Sequence, residues 1–292
     1  MAPDVVVLDS IAAAFMARRA PQQIPIVGML HQPPGGIDHG PLRTRVQAWL
    51  DRQAYRRVRR LLVASDSLAE ELRRHEQLSV PIVVVPPGRD VAEHVGPPPG
   101  DLRAGREAAL LCVGNWVERK GILSLLDAFA MLAQPVATLH LVGDTRAEPR
   151  YGQRVRARLR QPDLAGRVVV HGPLSVGEVA ALYAAADAFV LPSLKEPFGT
   201  VYGEAMAFGL PVVGWRAGNL PYLADNEREG LLIDVGDLPG LSEAMQRLSL
   251  DAALRARLGA AARQRALRRP TWNDVARLFF DQLQQVVSIS RR

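Results

Sequence analysis

Two carboxylates and a lysine carry the chemistry that this sequence can do. Glu196 and Glu204 are separated by seven residues in Lys195-Glu196-Pro197-Phe198-Gly199-Thr200-Val201-Tyr202-Gly203-Glu204. Glu196-Pro197-Phe198-Gly199 predicts a tight backbone approach, Thr200 is placed to cap the helix that follows, and Glu204 falls about one turn further along the same face. Glycine lets a ligand lie against the backbone and helix amides attract phosphate, so carboxylates beside them suit the hydroxyls of a sugar or ribose. The plain alternative gives Glu204 to the helix dipole and Glu196 to the surface, and spacing alone leaves the two readings even. Upstream, Gly114-Asn115-Trp116-Val117-Glu118-Arg119-Lys120-Gly121 allows a tight turn at Gly114 and sets two cations at the entry of a helix. The free amides there are already positive, so a bound polyanion would account for Arg119 and Lys120, although the loop alone slightly favours a solvated basic turn. A third segment, Gly209-Leu210-Pro211-Val212-Val213-Gly214 running on to Gly218-Asn219-Leu220-Pro221, is either a floor beneath a sugar or phosphate or a tight turn.

The elements that must position these residues alternate along the chain. In the first hundred residues, runs 5–8, 25–30, 60–64 and 81–85 read as strands, with helices over 43–60 and 68–75. Pro86-Pro87-Gly88 and Gly96-Pro97-Pro98-Pro99-Gly100 continue neither helix nor strand, which predicts a domain boundary at about residue 100. Beyond it, 109–113, 137–142, 167–171, 188–191, 211–214 and 231–234 read as strands. Helices are expected over 121–132, 176–186, 201–207, 238–248 and 252–267. A last helix starts near Trp272, where Trp272, Val275, Phe279, Leu283 and Val286 recur at helical spacing. Short strands alternating with helices predict an α/β fold with doubly wound, parallel, Rossmann-like sheets, whose ligands sit at the carboxyl ends of the strands.

Composition narrows the class. With 292 residues, 48% hydrophobic and 23% charged, the chain suits two globular domains. No apolar run approaches the roughly 20 residues of a membrane-spanning helix. The first residues show no charged-then-apolar export signal, which predicts a cytoplasmic location. Cys112 lies in an apolar run and reads as strand packing. The net charge of +6 comes from 34 arginines and two lysines, Lys120 and Lys195, both inside the segments above.

In this order the segments resemble the retaining glycosyltransferases of family 4, which have the GT-B fold. The likeness runs from about Asp4 to the last helix and is strongest over 168–231, where Glu196 and Glu204 look like the family's E-x7-E signature. The resemblance implies a GT-B-like α/β fold of two Rossmann-like domains, an incomplete acceptor-side domain over 1–100 and a donor domain over 101–292. Its final helix, 272–289, would cross back to the first domain. It implies that Lys120 binds a donor diphosphate together with Arg119, Gly199 and Thr200. Glu196, Phe198 and Gly199 would hold the transferred sugar, Glu204 the ribose, and the Gly172-Pro173-Leu174 turn would lie against the base. His31, ending Val27-Gly28-Met29-Leu30, resembles the strand-end histidine that faces the reacting sugar, so His31 and Glu196 become the expected catalytic residues. Val63-Ala64-Ser65 resembles a strand-plus-serine step of structural value. The donor would be a UDP- or GDP-linked sugar, with no metal and no further cofactor. The acceptor would be a hydroxyl of a glycan, a lipid-linked sugar or a small molecule.

Two departures stand out. Asn115 occupies the place where the family usually has arginine, so Arg119 supplies the second phosphate cation or none does. The chain also starts at what looks like the fourth strand of the acceptor domain. A partner chain or rearranged dimer then completes the sheet, or the start is misassigned, or the protein is inactive. Residues 43–60 hold seven arginines, one aspartate and Trp49. Such a helix can rest on an anionic membrane as a peripheral contact at the inner face, but arginines spread around it favour a solvated connecting helix. No nucleic-acid motif accompanies the charge. The expected function is sugar transfer with retention. A donor-binding subunit without activity is the alternative, and an epimerase or oxidoreductase is disfavoured because no Gly-x-Gly-x-x-Gly follows a strand.

Overall fold

The computed structural model describes residues 3–12, 24–37, 41–75, 78–89 and 100–290, and divides the chain into two compact units. One unit comprises Met1–Gly88 together with Pro270–Arg292, and the other Arg89–Arg269. Most of the second proline-glycine cluster, residues 96–99, lies outside the described residues.

In the first unit the described strands β1 (Val6–Asp9), β2 (Ile26–Leu30), β3 (Arg60–Val63) and β4 (Ile82–Val84) pair in parallel in chain order. Parallel strands need both faces covered, which the near-continuous apolar runs reflect. Helices α1 (Pro41–Tyr55) and α2 (Asp66–His75) cover one face, burying Ala54, Tyr55, Leu68, Ala69 and Leu72 with Leu30 and Leu61. Ser65 accepts from the amide of Leu68 at 3.2 Å, so the strand-plus-serine step caps α2. The terminal helix, Trp272–Ser290, covers the other face, where Val275 and Val286 pack with Val27, Leu62 and Val85. The expected helix over 43–60 ends instead at Tyr55, whose ring is buried; Arg57 closes a turn onto the carbonyl of Ala54, and Arg60 already belongs to β3.

The second unit holds β5 (Ala108–Val113), β6 (Ala137–Val142), β7 (Val168–Gly172), β8 (Ala188–Val190), β9 (Val212–Trp215) and β10 (Gly230–Ile233). Its described helices are α3 (Ile122–Ala130), α4 (Pro149–Leu159), α5 (Val176–Ala185), α6 (Thr200–Ala207), α7 (Leu220–Leu223), α8 (Leu238–Leu250) and α9 (Ala252–Leu267). The six described strands run in the order β10-β9-β8-β5-β6-β7. That is the doubly wound Rossmann order of parallel strands, in which the direction of winding reverses between β5 and β8. The crevice outside their carboxyl ends is where such a sheet binds its ligand. Sequence analysis passes over α4, because five arginines between 150 and 160 mask its pattern. Pro149 opens it, and Tyr151 and Val155, four residues apart, are buried.

A pair of histidines, His140 buried and His171 half-buried, joins β6 to β7. His140 donates from Nε2 to the carbonyl of Leu102 at 2.8 Å, which leaves its Nδ1 to accept from His171 Nε2 at 2.9 Å. Burial lowers both pKa values, and for His171 the neighbouring ring lowers it further. A depressed folded pKa means that the unfolded chain binds these protons first. The pair's stabilisation is therefore complete above the ordinary histidine range and is lost as pH falls through it towards the folded values. Thermal unfolding midpoints should drop more steeply between about pH 7 and pH 5 in the native chain than in a His140→Gln/His171→Gln variant. Parallel slopes would show that the pair does not titrate on unfolding.

Candidate functional site

The reversal between β5 and β8 brings together the segments that sequence analysis singles out. After β5 the chain makes a short 3-10 turn, Glu118–Lys120, and enters α3 through Gly121. After β8 it runs through Pro192 to Glu196 and enters α6 through Gly199. The two loops touch through their backbones. Gly121 has φ +69°, and a Cβ there would stand 2.1 Å from the carbonyl oxygen of Pro192, so no other residue fits without moving one loop. The carbonyl of Arg119 accepts from the amide of Leu194 at 2.8 Å and from Ser193 Oγ at 3.1 Å.

Across this junction the Lys120 ammonium donates to a carboxylate oxygen of Glu196. Both residues are buried, at 9% and 8% exposure. A charge pair so withdrawn from water is poor evidence for stability, since its desolvation offsets most of its attraction. It places a buried cation and a buried anion where the sheet reverses, which is what a ligand with a phosphate and hydroxyls requires. A Cβ at Gly114 would stand 3.5 Å from the Lys120 Cδ, an ordinary contact, so neither room for the lysine nor the expected tight turn requires glycine there. Gly143 supplies that tightness, at φ +137° with its Cβ direction 2.3 Å from the Gly114 carbonyl oxygen.

The loop holding Glu196 is fixed from below by the third segment. Asn219 donates its amide to the carbonyl of Glu196 at 2.9 Å and its Nδ2 to the carbonyl of Phe198 at 2.8 Å. Gly218, at φ +56°, comes so close that a Cβ would be 2.7 Å from the Glu196 nitrogen. Tyr202 donates its hydroxyl to Leu191 at 2.6 Å, tying the first turn of α6 to the end of β8. The expected cap at Thr200 is not made. Gly199 is the N-cap in left-handed conformation, with no side-chain cap, and Thr200 is the exposed first helical residue. A side chain at Gly199 would meet Leu223 at 2.4 Å, which leaves the helix amides without a capping side chain.

Glu204 lies half-buried one turn into α6 and accepts from the Tyr183 hydroxyl of α5 at 3.1 Å. Burial, then the Glu204 charge, raises the Tyr183 pKa well above its usual value, so this hydroxyl stays a donor. Burial and then the Glu196 charge do the same to Tyr202. The Cys112 thiol on β5 lies within the electrostatic reach of both phenols and of Lys120, and burial pushes it up to about 12. Lys120 and Glu196 therefore meet beyond the carboxyl ends of β5 and β8, whereas Glu204 is anchored on Tyr183 and not on the ion pair.

The other expected residues fall as follows. Arg119 donates from Nη1 to the carbonyl of Lys195 at 3.1 Å, a bond that staples the two loops. Asn115 accepts from the amide of Asp144 at 3.0 Å, so its side chain closes the turn after β5 onto that after β6. Gly172 ends β7, two strands from β5, with Pro173 and Leu174 following it, and the Gly172 carbonyl accepts from the Gly143 amide at 2.9 Å. His31 belongs to the first unit, where it follows β2. Its Nε2 pairs with Asp9 Oδ2 at 3.2 Å, while Asp9 Oδ1 accepts from the Ile11 amide at 2.8 Å. Tyr183 and Asp9 carry no mark in the sequence analysis, and Asn219 stands there only as part of the third segment. Asn219 could have been suspected from its place after Gly218, whereas Tyr183 looks like any aromatic on a buried helix face. Among the described residues no group of three or more His, Cys, Asp or Glu side chains comes together as metal ligands.

Residues 107–251 match the glycosyl transferases of group 1, and residues 1–93 match Glycosyltransferase Family 4. A D-inositol 3-phosphate glycosyltransferase of Xylanimonas cellulosilytica is 31% identical over 240 residues, covering 76% of this chain and 57% of that protein. The chain thus spans little more than half the length of this curated relative. Among solved structures, sucrose-phosphate synthase from Thermosynechococcus elongatus superposes with a TM-score of 0.83 at 24% identity, over 98% of this chain and 74% of that one. Anabaena HepE, solved in complex with UDP and glucose, gives 0.79 at 23% identity over 97% and 78%. These structural likenesses show the fold, an α/β architecture with parallel sheets shared with GT-B glycosyltransferases.

Proposed function

The chain belongs to glycosyltransferase family 4, the glycosyl transferases of group 1, and from that premise we propose that it transfers a sugar from a nucleoside-diphosphate sugar to an acceptor hydroxyl with retention of configuration. The observation that carries the reading is the buried pair of Lys120 and Glu196 at the reversal of the second sheet. The donor diphosphate takes over Lys120, and Glu196, released from the lysine, accepts hydroxyls of the sugar. The amides that begin α6 after Gly199, which no side chain caps, serve the same anion. As the anomeric bond breaks, negative charge grows on the departing nucleoside diphosphate, where the ammonium and the amides stabilise it. The acceptor oxygen forms the new bond to the anomeric carbon on the face the diphosphate leaves, and its proton passes to an oxygen of the departing diphosphate. Glu204, held by Tyr183, takes the ribose hydroxyls, and the Gly172-Pro173-Leu174 turn takes the base. The Anabaena complex with UDP and glucose supports a uridine donor, and GDP is the alternative.

His31 enters the proposal through Asp9. The aspartate is anchored by the Ile11 amide and fixes the imidazole ring by its Nε2. Transfer from UDP- and GDP-linked sugars to hydroxyl acceptors, followed by release of the nucleoside diphosphate, is the direct assay. His31→Ala is expected to lower kcat by roughly 10²-fold while UDP or GDP binds as before. A variant with unchanged kcat removes His31 from the reaction. No turnover of any nucleotide sugar, by transfer or hydrolysis, would refute the enzyme reading.

A further inference from the structure

Helix α1 has two apolar faces, and only one of them is used by the fold. Ala48, Asp51, Ala54 and Tyr55 are buried. On the opposite side Leu42, Val46 and Trp49, at spacings of four and three residues, are 78%, 55% and 55% exposed. At 100° per residue, Arg45 flanks this stripe on one side and Arg43 on the other, and both are exposed. Exposed Arg56 and Arg57 continue the cationic surface into the turn beyond the helix. The one acidic residue between positions 43 and 60, Asp51, is turned inward, where it accepts from the Gly35 amide at 2.9 Å and from Gln47 Nε2 at 2.8 Å. The spread of arginines that favours a solvated helix in the sequence thus becomes, in the fold, an apolar stripe between cations.

We propose that α1 docks the protein onto an anionic lipid bilayer, with Leu42, Val46 and Trp49 entering the headgroup boundary and Arg43 and Arg45 binding lipid phosphates. A tryptophan amid aliphatic side chains, rimmed by arginine and without exposed carboxylates, has the composition of an interfacial helix lying in the membrane plane. Three large apolar side chains on one open helix face mark an interaction surface on a globular protein. Charge complementarity selects the occupant: guanidinium groups match phosphate in geometry as well as sign, and no carboxylate of this helix faces outward to repel an anionic surface. The inference goes beyond sugar transfer and does not rest on it, since a chain with no activity would bind the same bilayer.

The test uses the full chain with Trp272→Phe, because Trp116 and Trp215 are buried at 2% and 1% exposure and Trp49 is then the responsive fluorophore. With vesicles containing phosphatidylglycerol, Trp49 emission should shift to the blue and be quenched by brominated acyl chains, while pure phosphatidylcholine vesicles give little change. In co-sedimentation, Arg43→Gln/Arg45→Gln should weaken binding to the anionic vesicles by roughly 25-fold, about fivefold for each cation lost. Val46→Gln/Trp49→Gln should weaken it by about tenfold or more. Raising salt to about 1 M should release the native chain. All substituted side chains are exposed, and unchanged thermal midpoints will separate lost docking from lost folding. Equal binding to both vesicle types, undiminished binding by both double variants, or Trp49 beyond reach of the brominated chains would overturn the proposal. So would a chain that ignores vesicles and instead forms a dimer dissolved by Val46→Gln/Trp49→Gln.

Discussion

Lys120→Ala should lower kcat/KM for sugar transfer by about 10²–10³-fold, the usual loss when one charge-stabilising donor is removed from a reacting centre. Activity is not all that should change. The carboxylate of Glu196 is about nine-tenths buried and would be left without its cation, a defect that costs on the order of 3–5 kcal/mol in buried pairs. The single variant therefore mixes two effects, and a second variant separates them. Lys120→Met/Glu196→Gln removes both charges while keeping the volume, so most of the stability should return. Activity should not, because neither the diphosphate nor the sugar hydroxyls would find a charged partner. Thermal unfolding together with transfer kinetics on the two variants provides the check. Recovery of activity in the double variant would mean that the pair is structural.

Gly121→Ala should be among the most damaging single methyl groups in the second unit. Its cost has two parts that a control can divide. The left-handed backbone at φ +69° disfavours any side chain by about 1 kcal/mol. The new Cβ would also stand 2.1 Å from the Pro192 carbonyl oxygen, so the loops after β5 and β8 must part. Gly166 has nearly the same backbone, φ +67°, with nothing within 4 Å of its Cβ direction. Gly166→Ala thus carries the first cost alone. Gly121→Ala is expected to lose roughly 1–3 kcal/mol more, an additional drop of about 2–12 °C in Tm. It should also abolish nucleotide binding, since Lys120 is its neighbour, while Gly166→Ala binds normally. Equal melting points for the two variants would mean that the loops yield freely and that their contact does not shape the site.

The parts of the site legible in the sequence are those whose chemistry is local. Lys120 stands out as one of two lysines among 34 arginines, and Glu196 and Glu204 by their spacing within a strand–loop–helix pattern. The carboxyl ends of β5 and β8 can be located from periodicity, but their adjacency depends on strand order, which periodicity does not contain. Contacts made across the sheet are illegible for the same reason. Nothing in the spacing of Tyr183 and Glu204, or of Asp9 and His31, states that helix α5 lies beside α6 or that β1 lies beside β2. Asn115 shows the converse. Its residue type suggests a missing phosphate ligand, whereas its side chain closes a turn onto the Asp144 amide. Helix α4 is obscured because it holds four arginines, none of them buried, and its buried residues are only Tyr151, Gly152 and Val155. The capping expected of Thr200 fails one residue away, where Gly199 leaves the helix amides without a capping side chain.

The scarcity of lysine allows the central claim to be read atom by atom. In protein made with 13C-labelled lysine, two side-chain Cε resonances are expected, and Lys195→Arg assigns them. Titration with UDP or GDP should move the resonance of buried Lys120 saturably and leave that of exposed Lys195 near its place, whereas uridine or guanosine, lacking phosphates, should move neither. A Lys120 signal that stays fixed while a nucleoside diphosphate binds would place the diphosphate elsewhere and contradict the account.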